Sequence, residues 1–384
     1  MKAYCLNKIS KVALATLANP DKTVDDIKDA DSILVRSQAM HDMDLDSNIL
    51  AVARAGAGVN NIPLDKYADT GVVVFNTPGA NANAVKELVL CGLLLASRDI
   101  IGGNKWVLDN TSDENIAKTA EKAKSQFAGY EIAGKTIAVV GLGVIGVLVA
   151  NACVALGMKV VGYDPYLSIQ NAMKLSKEVK YVEKLEAAVA GADFVTIHVP
   201  AMDSTKGMIN AALMENMEDG VIVVNFSRDS LINDDDMLAA LNSGKVKKYV
   251  TDFANAKVVK MPNVICLPHL GASTEEAEDN CALMAINQLK DYIENGNIKN
   301  SVNYPAADAG VKPAGAMRLC INHLNVPGVI AKFSTIISDA GANISTLVTK
   351  SKGKYGYAII DVDHEANVVD AIKSIEGVLR VRVI

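Results

Sequence analysis

An imidazole, a guanidinium and a carboxylate stand at the ends of strand-like segments in the middle of the chain. They belong to His269 in Pro-His-Leu-Gly-Ala-Ser, Arg228 in Asn-Phe-Ser-Arg and Asp252 in Thr-Asp. Open α/β sheets bind ligands at the carboxyl ends of their strands, so we expect these side chains to share one site. Imidazole can take a hydroxyl proton near neutral pH, guanidinium can hold a carboxylate, and a carboxylate can orient the imidazole. Together they fit oxidation of a secondary alcohol by hydride transfer.

Plainer roles exist for the same residues. His269 follows a proline and could be a loop histidine with a structural hydrogen bond, and Arg228 could be a surface or helix-capping residue. The other four histidines are better explained as structural: His41, His198, His323 and His364. The backbone of His198 is still expected to line a ligand site, because His198-Val199-Pro200 also ends a strand.

A glycine-rich turn indicates the hydride acceptor. Gly141, Gly143 and Gly146 have the spacing G-x-G-x-x-G between an apolar strand-like segment and an apolar helix-like one. Asp164 ends the next strand, where a carboxylate accepts hydrogen bonds from a ribose 2′-hydroxyl and repels a 2′-phosphate. This context favours a dinucleotide-binding turn over a turn that serves only helix packing. It also favours NAD over NADP. The expected cofactor contacts are Gly141, Gly143, Val144, Ile145, Gly146, Asp164, His198, Val199, Pro200, Ser227 and Asp252.

An uncharged segment around this turn raises the alternative of a membrane span. Residues 137–158 carry no charge and are long enough to cross a bilayer. The glycine turn interrupts the segment, and polar, charged sequence surrounds it. A buried strand followed by a buried helix explains the pattern better, so we expect no membrane partner.

Composition narrows the class of protein further. The 384 residues are 50% hydrophobic and carry a net charge of -6, which argues against nonspecific nucleic-acid binding. The six cysteines are scattered without C-x-x-C spacing, as in reduced cytoplasmic proteins. The first residues resemble a strand rather than a signal peptide. No spacing of His, Cys or Asp suggests a metal site.

The pattern of short apolar runs predicts an α/β fold with three parts. Two are Rossmann-like or flavodoxin-like parallel-sheet domains, and the third is a ferredoxin-like βαββαβ module. We expect a discontinuous substrate-binding domain (1–98 and 280–300), an NAD-binding domain (99–279), a linker (301–316) and a regulatory module (317–384). Residues 99–110, with Gly-Gly and Asp-Asn, are expected to form a hinge. Predicted strands cover 2–6, 32–36, 50–54, 72–76, 135–140, 158–163, 193–199, 220–225, 248–252, 263–267, 317–324, 344–350, 355–362 and 379–384.

These motifs resemble the D-isomer-specific 2-hydroxyacid dehydrogenases over nearly the whole chain. The segments that carry the resemblance are Gly-Leu-Gly-Val-Ile-Gly, Tyr-Asp-Pro, His-Val-Pro, Asn-Phe-Ser-Arg, Pro-His-Leu-Gly-Ala-Ser, Val35-Arg-Ser37, 54–60, 76–78 and 301–305. The resemblance implies that His269 is the acid/base and that Arg228 binds the substrate carboxylate and carbonyl. It also implies substrate contacts from Arg36, Ser37, Arg54 and Asn81, and a homodimer or homotetramer.

The implied reaction is NAD-dependent oxidation of 3-phospho-D-glycerate to 3-phosphooxypyruvate, the first step toward L-serine. Arg36 and Arg54 suit a phosphorylated substrate, which needs cationic partners. An alternative in the same class is reduction of another 2-oxoacid, such as hydroxypyruvate or glyoxylate. A second alternative is a weakened, non-catalytic NAD-binding sensor or scaffold.

The C-terminal module resembles an ACT domain. Asn325-Val-Pro-Gly328 and Gly341-Ala-Asn-Ile344 carry this resemblance. It implies that His323, Asn325 and Asn343 match positions that bind the effector L-serine in some relatives. These residues could equally be turn residues in a module that binds nothing.

Three departures from the family pattern bear on the expected chemistry. Val144 stands where the family usually has Arg or a similar residue, so one diphosphate contact is expected to be lost. Asp229 stands where the family usually has Gly. The catalytic Glu is missing between Asp252 and His269, and Ala256 is the best match to its position. Either another carboxylate supports His269, with Asp252 the nearest candidate, or the histidine works unassisted.

Overall fold

The computed structural model describes all 384 residues, which divide into two units. The first unit contains Met1–Asn81 and Glu275–Ile384, and the second contains Ala82–Thr274. Each unit has its own parallel sheet, and the C-terminal residues add an antiparallel sheet to the first. The predicted fold class is confirmed. No helix combines the length and apolar character needed to cross a membrane.

Five short strands form the parallel sheet of the first unit, in the order β2-β1-β3-β4-β5. They are β1 (Lys2–Cys5), β2 (Lys22–Val24), β3 (Ser32–Val35), β4 (Ala51–Arg54) and β5 (Val73–Phe75), with helices α1 (Lys11–Leu14) and α2 (Leu64–Asp69) between them. The inner strands β3 and β4 are mostly apolar and buried because both faces of the sheet are covered. Arg36 and Arg54 therefore lie at the carboxyl ends of adjacent strands.

Seven parallel strands form the sheet of the second unit, in the order β12-β11-β10-β9-β6-β7-β8. The helices are α3 (Ala82–Ser97), α4 (Ile100–Asp109), α5 (Ile116–Ala123), α6 (Val144–Ala155), α7 (Ile169–Ala172), α8 (Leu185–Val189), α9 (Ala211–Glu215) and α10 (Asp234–Ser243). The strands are β6 (Thr136–Val140), β7 (Lys159–Tyr163), β8 (Lys180–Val182), β9 (Phe194–Ile197), β10 (Val221–Asn225), β11 (Val246–Thr251) and β12 (Val264–Cys266). The strand order reverses between β6 and β9, which is where such sheets bind ligands.

The expected hinge at residues 99–110 is wrong, because α4 occupies this segment. The Asp99 carboxylate accepts a hydrogen bond from the Gly102 N–H at 3.0 Å and so caps the helix. The unit boundaries also differ from the predicted domain boundaries, since the first break falls after Asn81 rather than residue 98. Helix α3 belongs to the second unit, where Gly92 lets it approach the ring of Phe226.

The C-terminal module has the predicted βαββαβ order. Helix α11 (Glu275–Asn295) and the irregular residues 296–316 precede it. Its elements are β13 (Met317–Leu324), α12 (Val329–Asp339), β14 (Ile344–Lys352), β15 (Tyr355–Val362), α13 (Val369–Lys373) and β16 (Val378–Val383), with the sheet order β14-β15-β13-β16.

A buried arginine fastens this module to the end of α11. Arg318 forms a bidentate ion pair with Asp361 at 2.6 and 2.7 Å and is completely buried. Its Nη1 donates to the carbonyl oxygens of Asn295 and Gly310, each at 2.8 Å, and Nη2 also donates to Ala309 O at 3.3 Å. The predicted linker is likewise held in place, since the Asn303 side chain accepts from the Val74 N–H at 2.8 Å. The module is thus packed into the first unit rather than loosely tethered.

Candidate active site

The glycine turn of the second unit has the shape that a diphosphate requires. Gly141 has a φ of +94°, which favours glycine, and its N–H donates to Tyr163 O at 2.7 Å. A Cβ on Gly146 would overlap the carbonyl oxygen of Gly141, whereas a Cβ on Gly143 would meet nothing within 4 Å. Gly146 therefore permits close packing inside the protein, and Gly143 faces open space at the N-terminus of α6.

Asp164 is fixed beside this turn by two backbone groups. One carboxylate oxygen accepts from the Leu142 N–H and the other from the Tyr166 N–H, both at 2.8 Å. Each oxygen retains a lone pair for a ribose hydroxyl. Val144, the first residue of α6, is about half exposed at 49% and has no donor to offer a diphosphate. The turn and Asp164 therefore fit NAD. As expected from its residue type, the Val144 side chain cannot donate a hydrogen bond to the diphosphate.

His198 lines the turn through its backbone and is not an acid/base. Its N–H donates to Val140 O at 2.7 Å, and its ring Nε2 lies 3.0 Å from the Thr196 hydroxyl. Burial lowers the pKa of His198 to about 3, so the ring is neutral at pH 7. A Cβ on Gly141 would come within 2.6 Å of the His198 carbonyl oxygen, so the segment His198–Pro200 lies against the glycine turn.

Arg228 projects from a turn that other side chains hold. The Asn225 amide donates to Arg228 O at 2.8 Å, and its oxygen accepts from the Ser227 N–H at 3.1 Å. The Ser227 hydroxyl donates to Ile197 O at 2.6 Å. The Arg228 side chain is exposed, and within this unit its guanidinium makes one hydrogen bond, from Nη1 to Ser227 O at 2.6 Å. Its other N–H groups are thus available to a substrate carboxylate.

Asp252 organises the His269 loop through its oxygens. The His269 N–H donates to the backbone oxygen of Asp252 at 2.8 Å, and the Gly271 N–H donates to carboxylate Oδ2 at 2.8 Å. Oδ1 is buried without a partner, and burial raises the pKa of this carboxyl group. Neither oxygen forms a hydrogen bond to the imidazole. The expected hydrogen bond between the Asp252 carboxylate and the His269 ring is therefore not formed.

The imidazole itself is exposed and lies beside an aromatic ring. His269 has a φ of +44°, and its ring is edge-to-face with Phe253 at 5.0 Å between centroids. The segment around Ala256 cannot supply a carboxylate, because Ala256 has none and its neighbours are tied to α10. Asn255 donates to Asp234 at 3.0 Å, and Lys257 pairs with Asp235 at 2.8 Å. Sequence reasoning missed Phe253 because nothing in its type signals a site.

The substrate-side residues of the first unit gather around two arginines. Arg54 Nε donates to Arg36 O at 3.0 Å. The side-chain oxygen of Asn7 accepts from the Arg36 N–H at 2.9 Å, and its amide nitrogen donates to the Ser37 hydroxyl at 3.2 Å. Arg36 also pairs with Glu278 of α11 at 2.6 Å. Asn81, just before α3, is half-buried. Asn7 and Glu278 were missed, because each contacts residues far away in sequence.

Known proteins resemble this chain in sequence and in structure. Residues 91–271 match the sequence profile described as D-isomer specific 2-hydroxyacid dehydrogenase, NAD binding domain. The D-3-phosphoglycerate dehydrogenase of Haemophilus influenzae is 30% identical over 380 residues, which cover 95% of this chain and 89% of that protein. The chain belongs to the D-isomer-specific 2-hydroxyacid dehydrogenase family.

Other family members show what is shared and what differs. The D-3-phosphoglycerate dehydrogenase of Archaeoglobus fulgidus is 31% identical over 308 residues, but this chain spans only 56% of its length. The NAD+-bound 3-phosphoglycerate dehydrogenase of Entamoeba histolytica has the same fold, with a TM-score of 0.60 and 24% identity. That match covers 79% of this chain and 98% of that one. As a member of this family, the chain described here is an oxidoreductase that uses NAD.

Replacing Gly143 or Gly146 by Ala should separate NAD binding from folding. Gly146→Ala should lower the melting temperature, because the overlap with Gly141 O costs about 1–3 kcal/mol of stability. Gly143→Ala should leave it nearly unchanged but weaken NAD binding, since its methyl group projects where the diphosphate must approach. Calorimetric NAD titration and thermal unfolding check both variants. Normal NAD affinity in Gly143→Ala would place the diphosphate elsewhere.

The C-terminal module of this dehydrogenase contains a cavity of about 410 Å³. Its polar lining includes His323, Asn325, Thr349, Lys350 and Ser351. His323 is 2% exposed, its Nδ1 lies 2.8 Å from Leu324 O, and its Nε2 has no partner. Burial lowers the pKa of His323, so this nitrogen is a free acceptor.

Asn343 lies apart from the cavity at the other end of β14. Its N–H donates to Asp363 Oδ1 at 3.1 Å, and it is not among the residues that line the cavity. Of the three residues expected to bind an effector, the structure therefore brings His323 and Asn325 together and leaves Asn343 outside.

Proposed function

We propose that this dehydrogenase oxidises 3-phospho-D-glycerate to 3-phosphooxypyruvate with NAD, as the first step toward L-serine. The placement of Arg36 and Arg54 at the ends of the adjacent strands β3 and β4 carries the proposal, with the Arg54 guanidinium bonded to the backbone oxygen of Arg36. Two arginines on neighbouring strand ends suit a phosphate dianion better than an uncharged substrate tail. The relatives named D-3-phosphoglycerate dehydrogenase support the same substrate.

In the proposed mechanism, the substrate's C2 hydroxyl proton passes to the imidazole of His269. Arg228 holds the C1 carboxylate through its unused N–H groups and polarises the C2 oxygen as it becomes a carbonyl. Bound NAD supplies the acceptor for the C2 hydride. His269 releases its proton to solvent, to which its ring is exposed. Without a carboxylate on the imidazole, the imidazolium lacks one stabilising partner.

Each part of the chain has a proposed role. Residues 1–81 bind the substrate tail, and residues 82–274 bind NAD. The C-terminal module is proposed to be an ACT-type regulatory module that binds L-serine through His323 and Asn325. We also propose a homodimer or homotetramer. A cytoplasmic location fits the six free cysteines.

A panel of substrates tests the proposed activity. NADH formation is measured with 3-phospho-D-glycerate, D-glycerate and D-lactate under identical conditions. We expect kcat/KM for the phosphorylated substrate to be higher by about 100-fold or more, the size expected for desolvated charge pairs. Equal turnover of D-glycerate or D-lactate would favour a dehydrogenase of unphosphorylated hydroxyacids. No turnover would favour the NAD-binding sensor, which the unpartnered imidazole also fits.

Serine sensitivity tests the regulatory proposal. Saturating L-serine should lower the initial rate, and Asn325→Ala should remove this response, because Asn325 lines the cavity. Asn367→Ala, an exposed asparagine outside the cavity, should retain it. An initial rate that stays constant up to saturating serine would reject serine as the effector.

A further inference from the structure

One of the two arginines proposed to bind phosphate already forms an ion pair with a carboxylate of the protein. Glu278 Oε1 lies 2.6 Å from Arg36 Nη2, and the two side chains are 43% and 40% exposed. Glu278 lies in the first turn of α11, and Arg36 follows β3. The pair is therefore a contact between a helix start and a strand end, accessible to a ligand.

The second arginine belongs to the same cluster. The Arg54 guanidinium donates to the backbone oxygen of Arg36, the residue whose side chain forms the ion pair. The pKa of Cys281, one turn further along α11, is raised mainly by burial, and both guanidinium groups oppose that shift. This places Arg36 and Arg54 within electrostatic reach of α11. Arg36 and Arg54 contribute two positive charges to this cluster, and Glu278 contributes one negative charge.

Glu278 is the one ion-pair partner of Arg36 in the structure. A phosphate that approaches Arg36 must displace this carboxylate or share the guanidinium with it. In either case the phosphate meets like-charge repulsion, which opposes binding. The repulsion acts on any doubly charged ligand and hardly on a neutral one.

We propose that Glu278 is an internal competitor that sets the affinity of this cluster for phosphorylated ligands. It acts on ligand binding through Arg36 and does not touch the reacting atoms. The inference rests on the proposed function for the assignment of Arg36 to a phosphate. It adds a residue that determines selectivity between phosphorylated and unphosphorylated hydroxyacids.

Glu276 offers a matched control. It lies in the same first turn of α11, is exposed and forms no ion pair. Glu276→Gln therefore removes the same charge from the same helix end without releasing Arg36. Any difference between the two variants reports the local contact rather than the helix dipole or net charge.

The test is calorimetric titration of the full chain with inorganic phosphate at low ionic strength. We expect Glu278→Gln to lower the Kd about two- to fivefold, the size of one partly exposed ion pair. Glu278→Lys should lower it further, and Glu276→Gln should match the wild type. The proposal is overturned if Glu278→Gln binds phosphate no more tightly than the wild type, or if Glu276→Gln gains as much.

Steady-state kinetics give a second readout. Glu278→Gln should lower the KM for 3-phospho-D-glycerate by the same factor, with kcat unchanged and the KM for D-glycerate unaffected. A change confined to kcat would contradict a role in binding selectivity. If 3-phospho-D-glycerate is not oxidised but the phosphate titrations follow the expected order, the proposed function fails and the competition by Glu278 stands.

Discussion

His269→Asn is expected to lower kcat for 3-phospho-D-glycerate by about 100- to 10,000-fold, the usual contribution of general acid–base catalysis. The reason is that this loop of the second unit contains no other histidine that could take the hydroxyl proton. Asparagine is chosen because it tolerates the left-handed backbone of residue 269, whose φ is +44°. The loop should therefore keep its hydrogen bonds to Asp252, and NAD affinity should stay the same.

The control for this prediction is a histidine outside the site. His364→Asn changes an exposed ring in the C-terminal module and should leave kcat unchanged. Both variants are compared with the wild type in stopped-time NADH assays at several pH values. Turnover by His269→Asn within tenfold of the wild type would mean that another group carries the proton.

Arg228→Gln should reduce kcat/KM by about 100-fold or more, because it leaves the substrate carboxylate without its charged partner. Arg228→Lys should fall between Gln and the wild type, since lysine keeps the charge but cannot bind a carboxylate bidentately. The fold should not change, because Asn225 holds the turn through backbone groups that both variants retain. Steady-state kinetics and thermal unfolding check the two expectations. Equal kcat/KM in Arg228→Gln and the wild type would place the substrate carboxylate elsewhere.

Much of the fold could be predicted because its signals are local. The strands at 317–324 and 355–362 were predicted with the bounds that they have, since both are mostly apolar and each is followed by polar residues. The edge strands β2 and β8 were missed, because Lys22-Thr-Val and Lys180-Tyr-Val are short and partly exposed. The helix at Ile100–Asp109 was missed because Gly102 and Gly103 suggested a hinge, while the Asp99 cap decided the structure.

The features of the candidate site also fall into two groups, those that the sequence predicts and those that only the folded structure reveals. The glycine spacing and Asp164 could be assigned from the sequence, because they lie in one βαβ unit. The direction of the Asp252 oxygens could not, because only the folded loop shows that Oδ2 accepts from Gly271. The pairing of Arg36 with Glu278 joins the two separate sequence segments that form the first unit. Such contacts depend on tertiary packing, which neither residue type nor spacing reveals.

In the proposed reaction, the C2 hydride of 3-phospho-D-glycerate passes to NAD on this protein. The most direct measurement uses substrate carrying deuterium at C2 and mass spectrometry of the reduced nicotinamide. We expect the wild type to form NADH that carries the deuterium, and His269→Asn to form far less of it. Unlabelled NADH, or no NADH above the level of His269→Asn, would contradict it.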